Sequence, residues 1–171
     1  MRVFNSKDFR YCDGWDMLGS LRSTEEVTMV SNIFLRTAKG DDRWDAYYDG
    51  GELNVLNALM LYVLSMGSEG HRTFTDVYEI LTTKGIEELK EMFATLRTAY
   101  PRHPANVPWN SVRENINSLP GFVSGLLNKL TFFQNEYLQE VMRHNEIDLE
   151  LPAKEKCAYF PSGFNRILEK T

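Results

Sequence analysis

The side chains that most often bind metals or act as nucleophiles are few in this sequence and lie far apart. His71, His103 and His144 fall in three different segments, and none has a second ligand at the spacing of a metal site. A thiolate paired with a distant histidine could serve as a nucleophile. Cys157, however, lies in a short apolar stretch typical of a packed core thiol, and Cys12 is far from it in sequence. Two separated cysteines of this kind indicate free thiols in a reducing compartment.

A phosphate-binding loop is the next feature to look for, because it would indicate a nucleotide enzyme. Such a loop needs glycines around a Gly-Lys-Ser/Thr step, so that backbone amides surround the phosphate. The sequence has no such step, since Lys39-Gly40 and Lys84-Gly85 have the reverse order, which is typical of helix ends. The sequence therefore predicts a chain that is not an enzyme and that carries no metal or cofactor.

One group of charged residues could form a binding surface. The densest positive group in the sequence consists of Lys84, Lys90, Arg97, Arg102 and His103. Two interpretations remain open: a solvated surface with no partner, or a docking patch for an acidic protein or a DNA backbone. The net charge of −5 argues against a chain built mainly to bind nucleic acid.

Composition predicts one soluble, cytosolic domain. The chain has 171 residues, of which 43% are hydrophobic and 25% charged, which is ordinary for a globular protein with a buried core. The start has no basic segment followed by an apolar run, so no signal peptide is expected. The most apolar run, residues 53–66, is interrupted by polar residues and is shorter than the roughly 18 residues that indicate a membrane span.

Helical spacing of apolar residues predicts a bundle of about six or seven helices. A capping box predicts the first helix, over residues 23–40. A second helix, over about residues 43–66, is apolar on nearly all sides in its second half, so Leu59 and Val63 should be fully buried. The pair Gly50-Gly51 within it predicts a kink or a close contact with a neighbouring helix.

The second half of the chain continues this pattern. Thr73 begins a short third helix, and a clearly amphipathic fourth helix follows. Residues 101–108 contain three prolines and are predicted to be a loop. A long helix then begins at Trp109, and Pro120 either kinks it or splits it in two. Asn135 caps a last helix.

The two ends of the chain do not follow the helical pattern. The first residues, "MRVFN", and residues 157–160, "CAYF", both read as short strand fragments without a partner. The helical pattern of the rest of the chain does not explain why part of a strand should lie at each end.

A resemblance to a known family explains these ends. Residues 38–64, "AKGDDRWDAYYDGGELNVLNALMLYVL", resemble the all-α domain of conjugative type IV secretion coupling proteins, the TraG-like DNA-transfer ATPases. Trp44, Glu52 and the stretch Leu56 to Val63 occupy the family's aromatic, acidic and apolar positions. The resemblance continues through residues 72–82, 89–97, 122–133 and 135–160, so it covers nearly the whole chain. Each matching segment is weak evidence alone, but the order and spacing of the segments together are specific to the family.

The resemblance implies an architecture. In that family the all-α domain is inserted in a RecA-like ATPase, between strands of its central sheet, so the two strand fragments would be the points of exit and re-entry. Residues 1–160 would be the substrate-recognition domain. Residues 161–171, "PSGFNRILEKT", depart from the family pattern as an atypical tail. The tail is either a cloning or truncation scar or the mark of a degenerate stand-alone copy, and we favour an excised domain because Met1 falls within a strand.

The resemblance also implies a function. The parent would be a membrane-anchored hexameric ATPase of a plasmid or integrative element, with this domain on the cytoplasmic face of the bacterial membrane. The domain would dock a relaxosome protein, either the relaxase or an accessory protein, for export through the secretion channel. Two alternatives remain: a module that contacts DNA directly, with weak binding, or a purely structural insert. The ATP site would belong to the missing motor.

The absence of a phosphate-binding loop from the sequence gives a first prediction. Adding ATP and magnesium should leave the melting temperature unchanged, because only a ligand that binds the native state stabilises it. Differential scanning fluorimetry over a range of ATP concentrations measures this. A rise of several degrees that grows with ATP concentration would contradict the prediction.

Overall fold

The computed structural model describes residues 8–40, 43–67, 72–115 and 117–147. Within these residues the chain is helical and contains no strand. The α-helices are α1 (Thr24–Lys39), α2 (Tyr48–Met66), α3 (Phe74–Thr83), α4 (Ile86–Ala99), α5 (Asn106–Arg113), α6 (Leu119–Lys129) and α7 (Glu136–Val141). Three short 3-10 helices cover Phe9–Tyr11, Leu18–Ser20 and Thr131–Gln134. The predicted all-α bundle is confirmed, whereas both predicted strand fragments, residues 1–5 and 157–160, lie outside the described residues.

α2 is the central helix, and α1, α3, α5 and α6 all pack against it. Leu59 is completely buried and Val63 is 2% exposed, as the apolar pattern predicted. Aromatic rings from the surrounding helices, among them Phe74, Phe93 and Phe122, complete the core. Among the described residues, neither α2 nor any other helix is both long and apolar enough to cross a membrane.

Local side-chain hydrogen bonds explain where several helices begin. Ser23 caps α1, because its hydroxyl oxygen accepts the amide N–H of Glu26 at 3.1 Å. Thr73 and Asp76 form a reciprocal capping box at the start of α3. Asn135 accepts two amide N–H groups in the first turn of α7. These three predicted helix starts are confirmed.

The middle of the chain differs from the prediction in its helix boundaries. α5 begins at Asn106, so Pro108 lies inside a helix and the predicted loop over residues 101–108 was too long. Proline is tolerated there because the amides of the first helical turn have no intrahelical partner. Pro120 lies in the first turn of α6, and the long predicted helix is split in two, one of the two expected outcomes. α2 begins at Tyr48, later than predicted.

The two glycines in α2 have different surroundings. A β-carbon added to Gly51 would lie 2.5 Å from the ring of Phe122 on α6, which is far inside van der Waals contact. A β-carbon on Gly50 would meet nothing within 4 Å. A close contact with a neighbouring helix was one of the two predicted explanations of the pair Gly50-Gly51. The structure shows that contact for Gly51 alone.

A buried network of four charges joins three helices. Asp49 and Glu52 lie near the start of α2 and are almost completely buried. Lys129, in the last turn of α6, bonds Asp49 at 2.8 Å and also bonds Glu52. Lys39, in the last turn of α1, bonds the other oxygen of Asp49. Burial alone would raise the pKa of Asp49, but hydrogen bonds from both lysines and from the amide of Asp45 outweigh it and lower the pKa to about 2.

Two residues that carry the family resemblance have structural roles. Glu52 belongs to the buried charge network, and its side chain lies against Gly125 of α6, where a β-carbon would overlap it. Trp44, just before α2, lies under the guanidinium of Arg36, 4.6 Å from the ring centre. Both residues therefore fix the start of α2 against its neighbours.

The first and last described segments are hydrogen-bonded to each other. The carbonyl of Gly14 accepts the amides of Glu146 and Ile147 at 2.8 and 3.1 Å, and the Trp15 amide donates to the carbonyl of Val141 at 2.9 Å. The strand fragments that were expected to lie close together are outside the described residues. The segments leading toward them nevertheless lie side by side.

The contrast between the two glycines gives a second prediction. Gly51→Ala should lower the free energy of unfolding by about 1–3 kcal/mol, because Phe122 must leave its site in a packed core. Gly50→Ala should raise it by up to about 1 kcal/mol, because alanine has the higher helix propensity and has room there. Urea denaturation of both variants measures this, and equal effects would contradict the assigned contact.

The low pKa of Asp49 gives a third prediction. A folded-state pKa of about 2, below the ordinary 3.8, means that its stabilising contribution is complete above about pH 4 and is lost as the pH falls toward 2. Asp49→Asn should therefore cost about 3–5 kcal/mol at pH 7, because the two lysines lose their shared charge partner. The difference in the free energy of unfolding between Asp49→Asn and the native chain should become smaller as the pH falls from 4 to 2.

Glu91→Gln is the matched control for this experiment. It also removes one carboxylate, but from an exposed position on α4. Denaturant unfolding of the three proteins from pH 7 to pH 2 should show a constant, small difference for Glu91→Gln. A difference for Asp49→Asn that stays unchanged down to pH 2 would contradict the assignment.

Candidate docking site on α4 and α5

One stripe of α4 carries both cationic and apolar side chains. Lys90, Phe93, Ala94 and Arg97 are spaced at i, i+3, i+4 and i+7, so they share one face of the helix. Phe93 is 1% exposed and belongs to the core, whereas Ala94 and Arg97 are open to solvent. This face of α4 therefore combines a buried ring, an exposed small apolar side chain and two cationic side chains within two turns.

α5 supplies the opposite wall. Trp109 stacks on Phe93 with ring centres 4.0 Å apart and an interplanar angle of 13°. Arg113 follows Trp109 by one helical turn, as Arg97 follows Phe93 on α4. The ring stack thus holds the two helices together, and an arginine stands one turn beyond each ring.

A groove lies between these side chains. Its lining residues are Lys90, Phe93, Ala94, Arg97, Trp109, Arg113 and Leu119, and its volume is about 200 Å³. Sites for drug-sized molecules usually measure about 300–1,000 Å³. The groove is therefore small for a free ligand but large enough to receive a side chain from a partner. We call it the α4/α5 groove.

The three cations of the rim are available to a partner. Within the described part of the chain, neither Arg97 nor Arg113 forms a salt bridge. Lys90 bonds Glu87 at 2.7 Å, but the side chain of Glu87 is 79% exposed. Exposed ion pairs contribute only about 0–1 kcal/mol. A carboxylate from a partner could therefore replace Glu87 at little cost.

Of the five residues of the predicted positive patch, the structure brings Lys90 and Arg97 together at the α4/α5 groove and places Lys84 and Arg102 beyond opposite ends of α4. Lys84 precedes α4 and Arg102 follows it, so the 14 residues of the helix separate them, roughly 20 Å at 1.5 Å per residue. Lys90 and Arg97 lie between them and share the α4/α5 groove. The patch as a whole stays a prediction.

The surroundings of His103 suit a role in the local structure and not in binding a partner. Its ring nitrogen Nδ1 accepts the amide N–H of Ala105 at 3.2 Å, and Nε2 is buried without a partner among the described residues. Burial lowers the pKa of His103, so the ring is protonated less readily than an ordinary histidine. This residue is poorly suited to act as a cation in a docking patch.

Sequence reasoning missed Arg113, which completes the rim of the groove. A signal for it exists, because an aromatic residue followed four positions later by arginine occurs twice, as Phe93–Arg97 and Trp109–Arg113. The sequence predicted one long helix from Trp109 onward, and nothing in it indicated that Arg113 would lie opposite Arg97 of α4. The repeated spacing becomes informative once the two helices are known to face each other.

No metal site accompanies the groove. In residues 8–40, 43–67, 72–115 and 117–147, no three histidine, cysteine, aspartate or glutamate side chains lie close enough together to hold a metal ion. The chemistry that the groove offers is apolar contact with its floor and charge-assisted hydrogen bonds from its rim.

Comparison of the chain with protein-family models, with curated proteins and with solved structures gave no match. In the part of the chain that the structure describes, the fold is all-helical and carries an apolar groove whose rim bears cationic side chains. The resemblance to conjugative coupling proteins, which rests on residues of the sequence, stays a prediction.

Proposed function

We propose that this chain is a non-catalytic docking domain of a conjugative coupling protein, and that it receives a relaxosome protein, the relaxase or an accessory factor, at the α4/α5 groove. The observation that carries the proposal is the groove itself. An apolar recess surrounded by charged groups is the arrangement of an anchor pocket at a protein interface. A receptor for a folded partner needs such a pocket, and a spacer domain does not.

Two further features support this assignment. The family resemblance extends over nearly the whole chain, and the segments that lead toward both ends lie side by side through the Gly14 hydrogen bonds. An inserted domain must leave and re-enter its host at neighbouring points, so this arrangement suits insertion in a motor domain. The parent would then be a membrane-anchored hexamer with this domain on its cytoplasmic face.

Direct DNA binding is the second candidate, because the groove rim is cationic. The ring faces of Phe93 and Trp109 stack on each other, and Trp109 is only 3% exposed, so neither of these two groove rings offers a free face on which a base could stack. Three rim cations would neutralise only a few phosphates, against a net charge of −5. Such contacts give sequence-independent, salt-sensitive binding with dissociation constants of about 10⁻⁴ to 10⁻⁶ M.

A pull-down with matched charge reversals tests the proposal. The immobilised chain is offered the relaxase and accessory proteins encoded beside its gene, at physiological salt. Arg97→Glu combined with Arg113→Glu should reduce capture about tenfold, because the rim then repels the partner. Lys84→Glu combined with Arg102→Glu makes the same change of charge outside the groove and should leave capture unchanged. Circular dichroism melting confirms that both double variants are folded.

DNA binding is measured in parallel by fluorescence anisotropy with single- and double-stranded oligonucleotides. The proposal expects binding to DNA that is weaker than binding to the relaxosome protein and that falls steeply with salt. Nanomolar binding to DNA at physiological salt, with no capture of any relaxosome component, would replace the proposed function with the DNA-contacting one.

A further inference from the structure

Resting on the proposed docking function, we infer that the α4/α5 groove binds an acidic segment of the partner in which one large apolar side chain is flanked by aspartate or glutamate. The proposed docking function does not say which kind of segment enters the groove, and this inference specifies it. The shape of the floor, the charge of the rim and the distribution of acids on α4 each support it.

The floor of the groove selects one apolar side chain. Phe93, Ala94, Trp109 and Leu119 present carbon atoms, and a polar group buried against them would lose its hydrogen bonds to water without replacement. An apolar side chain instead gains about 25 cal/mol for each Å² removed from water. A volume of about 200 Å³ limits the anchor to a single large side chain.

The rim selects carboxylates on both sides of the anchor. Arg97 lines the groove from the α4 wall and Arg113 from the α5 wall, so an anchor seated between the helices has an arginine side chain on each wall. Their apolar stems line the groove, and their charged heads extend beyond it. Guanidinium groups bind carboxylates through two parallel hydrogen bonds, which adds direction as well as energy. Lys90 supplies a third charge once Glu87 is exchanged for a carboxylate of the partner.

The same charges exclude a basic segment. A lysine or arginine beside the anchor would approach two arginines that have no salt bridge within the described residues, and like charges across an interface cost several kcal/mol. The acidic side chains of α4, Glu87, Glu88 and Glu91, are concentrated in its first half, away from Arg97. A basic segment would therefore find its complement at the Lys90 end of the groove, beside Glu87, and not between Arg97 and Arg113.

Peptide binding to the full chain tests this inference. The probes are fluorescein-labelled twelve-residue peptides: one with a central leucine flanked by two glutamates on each side, one with alanine at the centre, and one with lysines in place of the glutamates. Anisotropy should show binding of the acidic leucine peptide, about tenfold weaker binding of the alanine peptide, and no binding of the lysine peptide.

Two substitutions of the same kind separate the groove from the rest of α4. Ala94→Trp fills the groove without changing charge and should abolish binding of the acidic leucine peptide. Ala99→Trp makes the same change at an exposed position that does not line the groove, so binding should stay within twofold of the native chain. Arg97→Glu with Arg113→Glu should weaken binding of the acidic peptide at least tenfold.

The outcomes distinguish this inference from the proposed function. Preference for the lysine peptide, unchanged binding by Ala94→Trp, or no binding of any peptide would overturn the acidic segment, even if a relaxosome protein is captured. The acidic peptide could instead bind at the groove while no relaxosome protein is captured. That result would support the inferred acidic segment and would show that the segment does not belong to a relaxosome protein.

Discussion

The bundle depends on neutralising two carboxylates at the start of its central helix. α2 is surrounded by other helices, and burying Asp49 and Glu52 unpaired would cost several kcal/mol for each ion. Lys39 and Lys129, from the last turns of α1 and α6, outweigh that cost at Asp49 but offset it only in part at Glu52, where burial still raises the pKa. Cations at helix C-termini and acids near a helix N-terminus also complement the helix dipoles. The charges therefore set where three helices meet, while the apolar residues of α2 fill the core between them.

The α4/α5 groove follows from packing on the same central helix. Tyr62 of α2 contacts Phe93, with ring centres 5.8 Å apart, and Phe93 in turn stacks on Trp109. This chain of rings fixes α4 and α5 relative to α2. Because the rings are buried, the arginines one turn beyond them are held at the surface on opposite walls. The surface proposed for a partner is thus an extension of the core, and its geometry does not rely on a flexible loop.

The sequence predicted those features of the fold that depend on neighbouring residues. The caps at Ser23, Thr73 and Asn135 are local hydrogen-bond patterns, and the apolar pattern of α2 reports burial directly. The start of α5 was harder to predict, because proline is compatible with both a loop and a first helical turn. Similarly, the pair Gly50-Gly51 carried no sign that only one member touches another helix.

The candidate site was less predictable for a reason of geometry. Lys90 and Arg97 lie on one helix, so their shared face follows from the helical period. Arg113 joins them only because α5 packs against α4, which no local pattern specifies. Conversely, Lys84 and Arg102 are near Lys90 and Arg97 in sequence, but the length of α4 keeps them apart. A surface formed by two elements requires the angle and distance between them, and these come from the core.

The hydrogen bonds between Gly14 and the segment Glu146–Ile147 have a mechanical consequence. They join residues 132 positions or more apart, so a tension applied through both ends of the described chain would act on these bonds before it reached any of the seven α-helices. Only a few bonds carry the load there, whereas the core contacts of α2 lie beyond them. The junction would open first and the bundle would remain folded, so moderate pulling would separate the two ends of the described chain without erasing the surface formed by α4 and α5.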